Sequence, residues 1–362
     1  MLRTILARGV VVTGAAMAAI IGTAVAASAA QPAGPVVSAQ AAPAKLPVIT
    51  TFTRNHFPES LAIDGQGNLY ASLDYIGQVV KVTPSGQQQL VASLDVGAGF
   101  LTGLAFDPSG NLYVADATFE ASPTPPGVFR ISAGGAVTRV AALPTFSFPN
   151  GLAFHDGSLY ISDSSLGVIW RLPPGGNPTV WLKDPLLAPK TTRSIGVNDE
   201  AFRRDSLYVS VSDTGMIVRV PLTTGGNAGL PVVVAQSPLL RTDDGIAFDI
   251  KGNLYITVNV NRLVRLAPDG GLTLLAAKNN GLAFPDGPAF GTTPTTRTTL
   301  YITNGAFHGG TPDIVAFDAG VRGLPLPWNG APHPPAGRSA SPTRSSTTCA
   351  ATRSARCAST SP

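Results

Sequence analysis

The chain has 362 residues, 25 of them basic and 21 acidic, for a formal net charge of +4. Six of the basic residues (Arg3, Arg8, Arg338, Arg344, Arg353 and Arg356) lie in the two ends, which hold no acid, so residues 31–327 carry 19 basic against 21 acidic side chains. That balance excludes nucleic-acid binding through a basic surface. Charged residues make up only 13% of the chain, with 39 Gly and 32 Pro, which suits largely buried strands joined by many tight turns.

In chain order, residues 1–30 read as a secretory signal peptide. Arg3 and Arg8 form a positive start, Val10 to Ala27 is an apolar run, and Ala27-Ser28-Ala29 offers small residues for cleavage. A retained membrane anchor is the rival reading, but Gly14 and Gly22 break a run already short for a span of about 20 residues. Residues 31–45, rich in Ala, Pro and Gly, are expected to be a flexible leader. Export places the protein outside the cell or in the cell envelope, with no membrane association after cleavage.

From residue 46 to 327 the chain is built on a repeat. A phrase of polar, small, apolar, Ala, Phe stands at Thr102 to Phe106, Asn150 to Phe154, Asp244 to Phe248 and Asp286 to Phe290, with looser copies at Glu59 to Ile63 and Asn198 to Phe202. Its leading residues are spaced by 43, 48, 48, 46 and 42 positions, so each unit must bury its apolar face on its neighbours. A Leu-Tyr phrase follows every copy after a turn such as Asp64-Gly65-Gln66-Gly67. A third strand follows in most units and a fourth in several, which predicts an all-β, six-bladed β-propeller of four-stranded blades. The sixth unit runs out after Asp313 to Phe317, and the apolar run Leu46 to Phe52 precedes the first unit, so this N-terminal strand is expected to close the ring. Ala117 to Pro126 and Thr191 to Asn198 are longer connections, either variable loops or lids. Residues 328–362 read as a disordered tail. Cys349 and Cys357 are both in it; they can pair with each other but cannot staple the propeller.

The topology brings the leading polar residues Glu59, Thr102, Asn150, Asn198, Asp244 and Asp286 to one mouth of the central channel. A second ring (Asp74, Asp116, Asp163, Asp213, Asn259 and Asn304) ends the following strands on the same side. Oxygen donors without Cys or His suit Ca²⁺ or Mg²⁺. For the second ring the competing reading is structural, since Asp and Asn cap turns. Neither a Gly-x-Ser-x-Gly elbow nor a phosphate loop is present, and a covalent nucleophile is not indicated.

Over residues 46–327 the repeats resemble the SMP-30/gluconolactonase/LRE-like family of six-bladed propellers and, more broadly, NHL-type repeats. The resemblance rests on Pro58-Glu59-Ser60, Pro149-Asn150-Gly151 and Asp243-Asp244-Gly245. It implies that Glu59, Asn150 and Asp244 hold one divalent cation and that Asp244 is also the general base of a lactonase. The Arg-x-Asn of sugar-lactonase members is replaced here by Phe100-Leu101-Thr102, which disfavours a sugar lactone and suits a more apolar ligand. The expectation is a monomeric, exported, cation-dependent lactonase or esterase-like hydrolase acting on a small-molecule lactone or ester, with Thr102, Asn198, Asp286, His56 and His308 as further substrate contacts. The alternative is a non-catalytic propeller that binds a small molecule, glycan or protein.

Overall fold

The computed structural model describes residues 37–39, 45–97, 99–120 and 124–325. Both the signal-peptide segment and the 328–362 tail lie outside these residues, as do Cys349 and Cys357. No helix among the described residues is long and apolar enough to cross a membrane.

Six antiparallel sheets follow one another along the chain. Blade 1 holds Pro58–Ile63, Leu69–Leu73, Gln78–Val82 and Gln88–Ser93. In blade 2 the strands are Phe100–Phe106, Leu112–Ala117, Gly127–Ile131 and Val137–Ala142, and in blade 3 Pro149–His155, Ser158–Asp163, Val168–Leu172 and Thr179–Lys183. Blade 4 is formed by Val197–Phe202, Ser206–Val211, Met216–Pro221 and Val232–Gln236, and blade 5 by Asp243–Phe248, Leu254–Val258, Arg262–Leu266 and Leu272–Ala277. Blade 6 contains Pro285–Phe290, Thr299–Asn304 and Asp313–Asp318 and takes its fourth strand from the start of the domain. Val48–Thr51 pairs antiparallel with Asp313–Asp318, in the register Val48 to Val315 and Thr51 to Asp313. The ring is therefore closed by the N-terminal strand, as the sequence leads one to expect. Val37–Ala39, within the stretch expected to be a flexible leader, adds as a parallel fifth strand to Leu272–Ala277 at the outer edge of blade 5.

The core lies between blades, because each sheet is apolar on both faces. Phe154 of blade 3 packs among Ala115, Val128 and Leu143 of blade 2, with its ring edge-on to Tyr113 at 4.8 Å. Side-chain hydroxyls tie neighbouring blades together near the axis. Ser72 donates to the Thr102 carbonyl at 2.7 Å, Ser210 to the Asp244 carbonyl at 2.7 Å and Thr303 to the Glu59 carbonyl at 2.8 Å, the last joining blade 6 to blade 1. Ser162 and Thr257 do the same for Asn198 and Asp286. Blade 2 has Ala115 at this position, and there Thr102 itself donates to the Pro149 carbonyl at 2.8 Å.

One recurring irregularity positions the site. In all six blades the pairing of the first two strands slips at the same step, between Pro58 and Leu61, Leu101 and Leu104, Pro149 and Leu152, Val197 and Glu200, Asp243 and Ile246, and Pro285 and Pro288. The extra residues are the polar–small pair of the repeat, and a bulge re-aims a side chain out of the ladder. The small member answers a steric demand: a Cβ on Gly151 would come within 2.7 Å of the Asp199 Cα, and one on Gly103 would strike the Asn150 carbonyl.

The channel opens widely at the end where the leading polar residues gather. Its far end is crossed by the C-terminal segment, where the Leu324 amide donates to the Phe248 carbonyl at 2.8 Å and Leu324 and Pro325 face the channel.

Candidate functional site

The six bulges deliver Glu59, Thr102, Asn150, Asn198, Asp244 and Asp286 to a mouth cavity of about 940 Å³. Below it a constriction lined by Glu59, Asn150, Asn198, Asp199 and Asp244 leads into the narrower, mainly apolar channel. All six leading polar residues thus reach one place, as sixfold pseudo-symmetry requires.

Carboxylate oxygens of Glu59, Asp244 and Asp286 lie within 4.8 Å of one another. These acids come from blades 1, 5 and 6. Asn259 donates from Nδ2 to Asp244 Oδ2 at 2.8 Å and to Asp286 Oδ1 at 2.9 Å, bridging two of them. The Gly305 amide donates to Asp286 Oδ2 at 3.1 Å. Burial, then the neighbouring Asp244, Asp74 and Asp199 charges, hold the Glu59 carboxyl well above the usual range. Burial and the Glu59 and Asp244 charges do the same to Asp286. Asp244 is also raised, by burial, although bonds from Asn259, Asp286 and Asn198 oppose the shift. Asp74, beside the cluster, is pushed up by burial to about 8, and its Oδ1 has no hydrogen-bond partner.

This arrangement fits a divalent cation on its own terms. The carboxylates are crowded, and few donors offset their charge. Asn150 commits its Nδ2 to Ser164 Oγ at 3.3 Å and Asn198 its Nδ2 to Ser212 Oγ at 3.0 Å. Each amide therefore keeps an oxygen, and that of Asn198 is buried without any partner. The three carboxylates form a hard, all-oxygen donor set, and the Asn150 and Asn198 amides line the same cavity.

The other residues singled out by the sequence fare unequally. Thr102 lines the cavity, but its hydroxyl is spent on the Pro149 carbonyl. His308 lines the rim with its ring edge-on to Phe284 at 5.1 Å. His56 is half-buried and is not part of the lining. Asp286, expected as a substrate contact, stands inside the acidic cluster. In the second ring the turn-capping role holds for Asp163, which accepts from the Phe148 and Leu166 amides and Trp170 Nε1, and for Asn304, which bonds Asp313, Gly281 and Ala283. Asp74 and Asn259 instead face the cavity.

Two features go beyond what the repeat announces. Asp199 replaces the small residue of the phrase in blade 4 and reaches across to accept from the Ile246 amide at 2.8 Å; burial raises it to about 7. Its neighbour Glu200 stands where other blades carry Leu, Ile or Pro, and burial, then the Asp199 charge, hold its carboxyl well above the usual range, with the Ala153 amide opposing. The second feature is an aromatic wall, and its signal in the sequence is plain: Phe stands two positions before the leading polar residue in four units, at Phe57, Phe100, Phe148 and Phe284.

Fold and site together define a six-bladed β-propeller with a carboxylate cluster at one channel mouth. Its structural neighbours are propellers of the gluconolactonase and regucalcin (SMP-30) kind. A regucalcin from Agrobacterium tumefaciens, described as a calcium-binding protein, matches with a TM-score of 0.59 at 18% identity, over 81% of this chain and 98% of its own. A gluconolactonase from Xanthomonas campestris matches with a TM-score of 0.54 at 18% identity, over 82% and 99%. A virginiamycin B lyase from Staphylococcus aureus matches with a TM-score of 0.53 at 16% identity, over 79% and 90%. Identities this low establish the fold alone. No protein-family model and no curated protein sequence matches the chain.

Proposed function

We propose that this protein is a divalent-cation-dependent hydrolase of the lactonase or esterase type, acting on a small-molecule lactone or ester in the mouth cavity. The observation that carries the reading is the convergence of Glu59, Asp244 and Asp286 within 4.8 Å, with few donors to offset their charge. Glu59, Asp244 and Asp286, with the oxygens of Asn150 and Asn198, would hold the cation, Ca²⁺ or Mg²⁺ by donor type. The gluconolactonase and regucalcin neighbours support the same reading at the level of fold. When bound, such an ion supplies Lewis-acid polarisation of an ester carbonyl.

The residues of the chain do the remainder. Asn259 donates to Asp244 Oδ2 and so orients the carboxylate toward a water in the mouth cavity. Asp244 takes a proton from that water as its oxygen adds to the carbonyl carbon. Collapse of the adduct expels the alkoxide, which takes the proton back from Asp244 and leaves a hydroxy acid or an acid and an alcohol. In the same proposal the protein works outside the cytoplasm, on the strength of residues 1–30.

The test is metal analysis of the purified protein followed by a lactone and ester panel. We expect one bound divalent ion per chain and turnover that chelation removes. Asp244→Asn should lower turnover at least ~100-fold with the fold intact. Full activity in that variant would end the mechanism. A metal-free protein, inert across the panel, would favour the non-catalytic propeller.

A further inference from the structure

The two halves of the mouth differ in kind. Six rings run in unbroken contact around the side built from blades 6, 1, 2 and 3. Phe284 meets Phe307 at 5.0 Å, Phe307 stacks on Phe57 at 4.7 Å, and Phe57 meets Tyr75 at 5.9 Å. Tyr75 meets Phe100 at 4.9 Å, and Phe100 meets Phe148 at 5.9 Å. In blades 4 and 5 the position held elsewhere by the first row of Phe is Gly196 and Thr242. The lining there is mainly polar and includes Arg193 and Arg241, the two Lys or Arg side chains among the described residues that line the cavity.

The arc is not core that happens to reach the surface. Phe148 at one end of the arc is buried, but Phe284, Phe307, Phe57 and Phe100 are half-buried and Tyr75 is 55% exposed, unlike Phe154, Phe248 and Phe290 between the blades. Apolar rings left facing a cavity of about 940 Å³ cost free energy unless something covers them. Phe284 is also held at φ +53, a region that bulky residues avoid, by its amide donating to Asn261 Oδ1 at 2.8 Å and its carbonyl accepting from Gly305 at 2.9 Å. Local strain at a cavity wall points to a role for the ring held there.

Opposite the arc the charges are available. Asp213 is occupied by the Lys190 amide and Ser194. Arg193 touches Glu120 at 3.4 Å, but both side chains are mostly in solvent, where such a pair is weak. Arg241 makes no ion pair among the described residues.

We propose that the mouth selects a ring-bearing lactone or ester with an anionic substituent. An aromatic or fused-ring body lies on the arc of blades 6, 1, 2 and 3, and the anionic group meets Arg193 and Arg241. The ester then sits over the acidic cluster between the two walls. This assignment rests on the hydrolase reading for the reaction, but the binding it describes does not need turnover.

Two measurements on the calcium-loaded mature protein separate the two ideas. Calorimetry with 2-naphthoate should show saturable binding, weakened about three- to tenfold by Tyr75→Ala or by Phe100→Leu, which keeps an apolar side chain but removes the ring. The double variant Arg193→Ala, Arg241→Ala should weaken 2-naphthoate but not neutral 2-naphthol. In turnover, γ-phenyl-γ-butyrolactone should exceed γ-butyrolactone in kcat/KM about tenfold, through KM, and Tyr75→Ala should erase most of that gap. Binding without turnover upholds this assignment and sinks the hydrolase. Equal turnover of the two lactones with no 2-naphthoate binding sinks this assignment and spares the hydrolase. An inert protein that binds neither aryl probe sinks both.

Discussion

The two ends of the inner hairpins use the same side chains for opposite purposes. At the turn end, Asp107 accepts from the Ser109 and Asn111 amides at 2.9 Å each, from Asn111 Nδ2 at 2.7 Å and from the Tyr113 hydroxyl at 3.4 Å. Asp64 and Asp249 are served in the same way by Asn68 and Tyr70 and by Asn253 and Tyr255. These carboxylates have more donors than neighbours of like charge. At the mouth the ratio is inverted, and Glu59, Asp244 and Asp286 crowd one another with few donors. A repeated acid is therefore scaffold where the backbone turns around it and a candidate site where the ring gathers several of them.

That contrast can be broken from either end. Phe154, packed on Tyr113 beside the turn, should be the costliest to lose: Phe154→Ala is expected to destabilise the fold by ~3–5 kcal/mol in denaturant titration. A cost near zero would mean the wrong face of the repeat is inward. Asp107→Ala should cost about 1–3 kcal/mol by stranding donors, while leaving cation affinity unchanged. At the mouth the sign should reverse. Asp286→Asn removes one crowded charge, so the metal-free protein should melt slightly higher, and the cation should no longer raise its melting temperature. A metal-free variant that melts well below the parent would show the cluster to be scaffold after all.

The smallest effect belongs to Asp116, which is buried near the mouth and pushed up to about 7 mainly by burial, with Arg139 opposing and Asp95 adding. Its charged form is disfavoured in the fold. Stability is therefore lost as pH rises from the unfolded carboxylate range, about 4, to about 7, and the cost is constant above that. Asp116→Asn should raise the melting temperature at pH 8 and leave it unchanged near pH 3.5.

Blade number, the strand that closes the ring, and the convergence of the leading polar residues are all legible in the sequence, because a repeat near 45 residues permits few other arrangements. Phe154 is legible for the same reason, as a fixed slot in the phrase. The slip in register is not, since alternation alone does not reveal which two residues share one partner. That slip turns Asp286, like the other leading residues, out of the ladder at the mouth, where it joins the acidic cluster. Nor is the fourth strand of blade 3 plain in the sequence: Thr179–Lys183 holds Val180, Trp181 and Leu182, but this short run stands between Pro178 and Pro185 and follows Pro173, Pro174 and two glycines. Thr102 shows the limit on site residues. Its place in the ring follows from the repeat, but the Ala115 that diverts its hydroxyl into a blade contact lies in another strand.

Glu59 stands in the first blade and Asp286 in the last, so the acidic cluster straddles the seam where the two ends of the domain meet. Threading the N-terminal strand into blade 6 and hanging Glu59 from Thr303 are what bring these carboxylates together. A chain still emerging, or one whose ring has sprung open, has no such cluster. An ion held there would act as a fastener, binding the closed ring alone and so shifting the opening equilibrium in proportion to its own concentration.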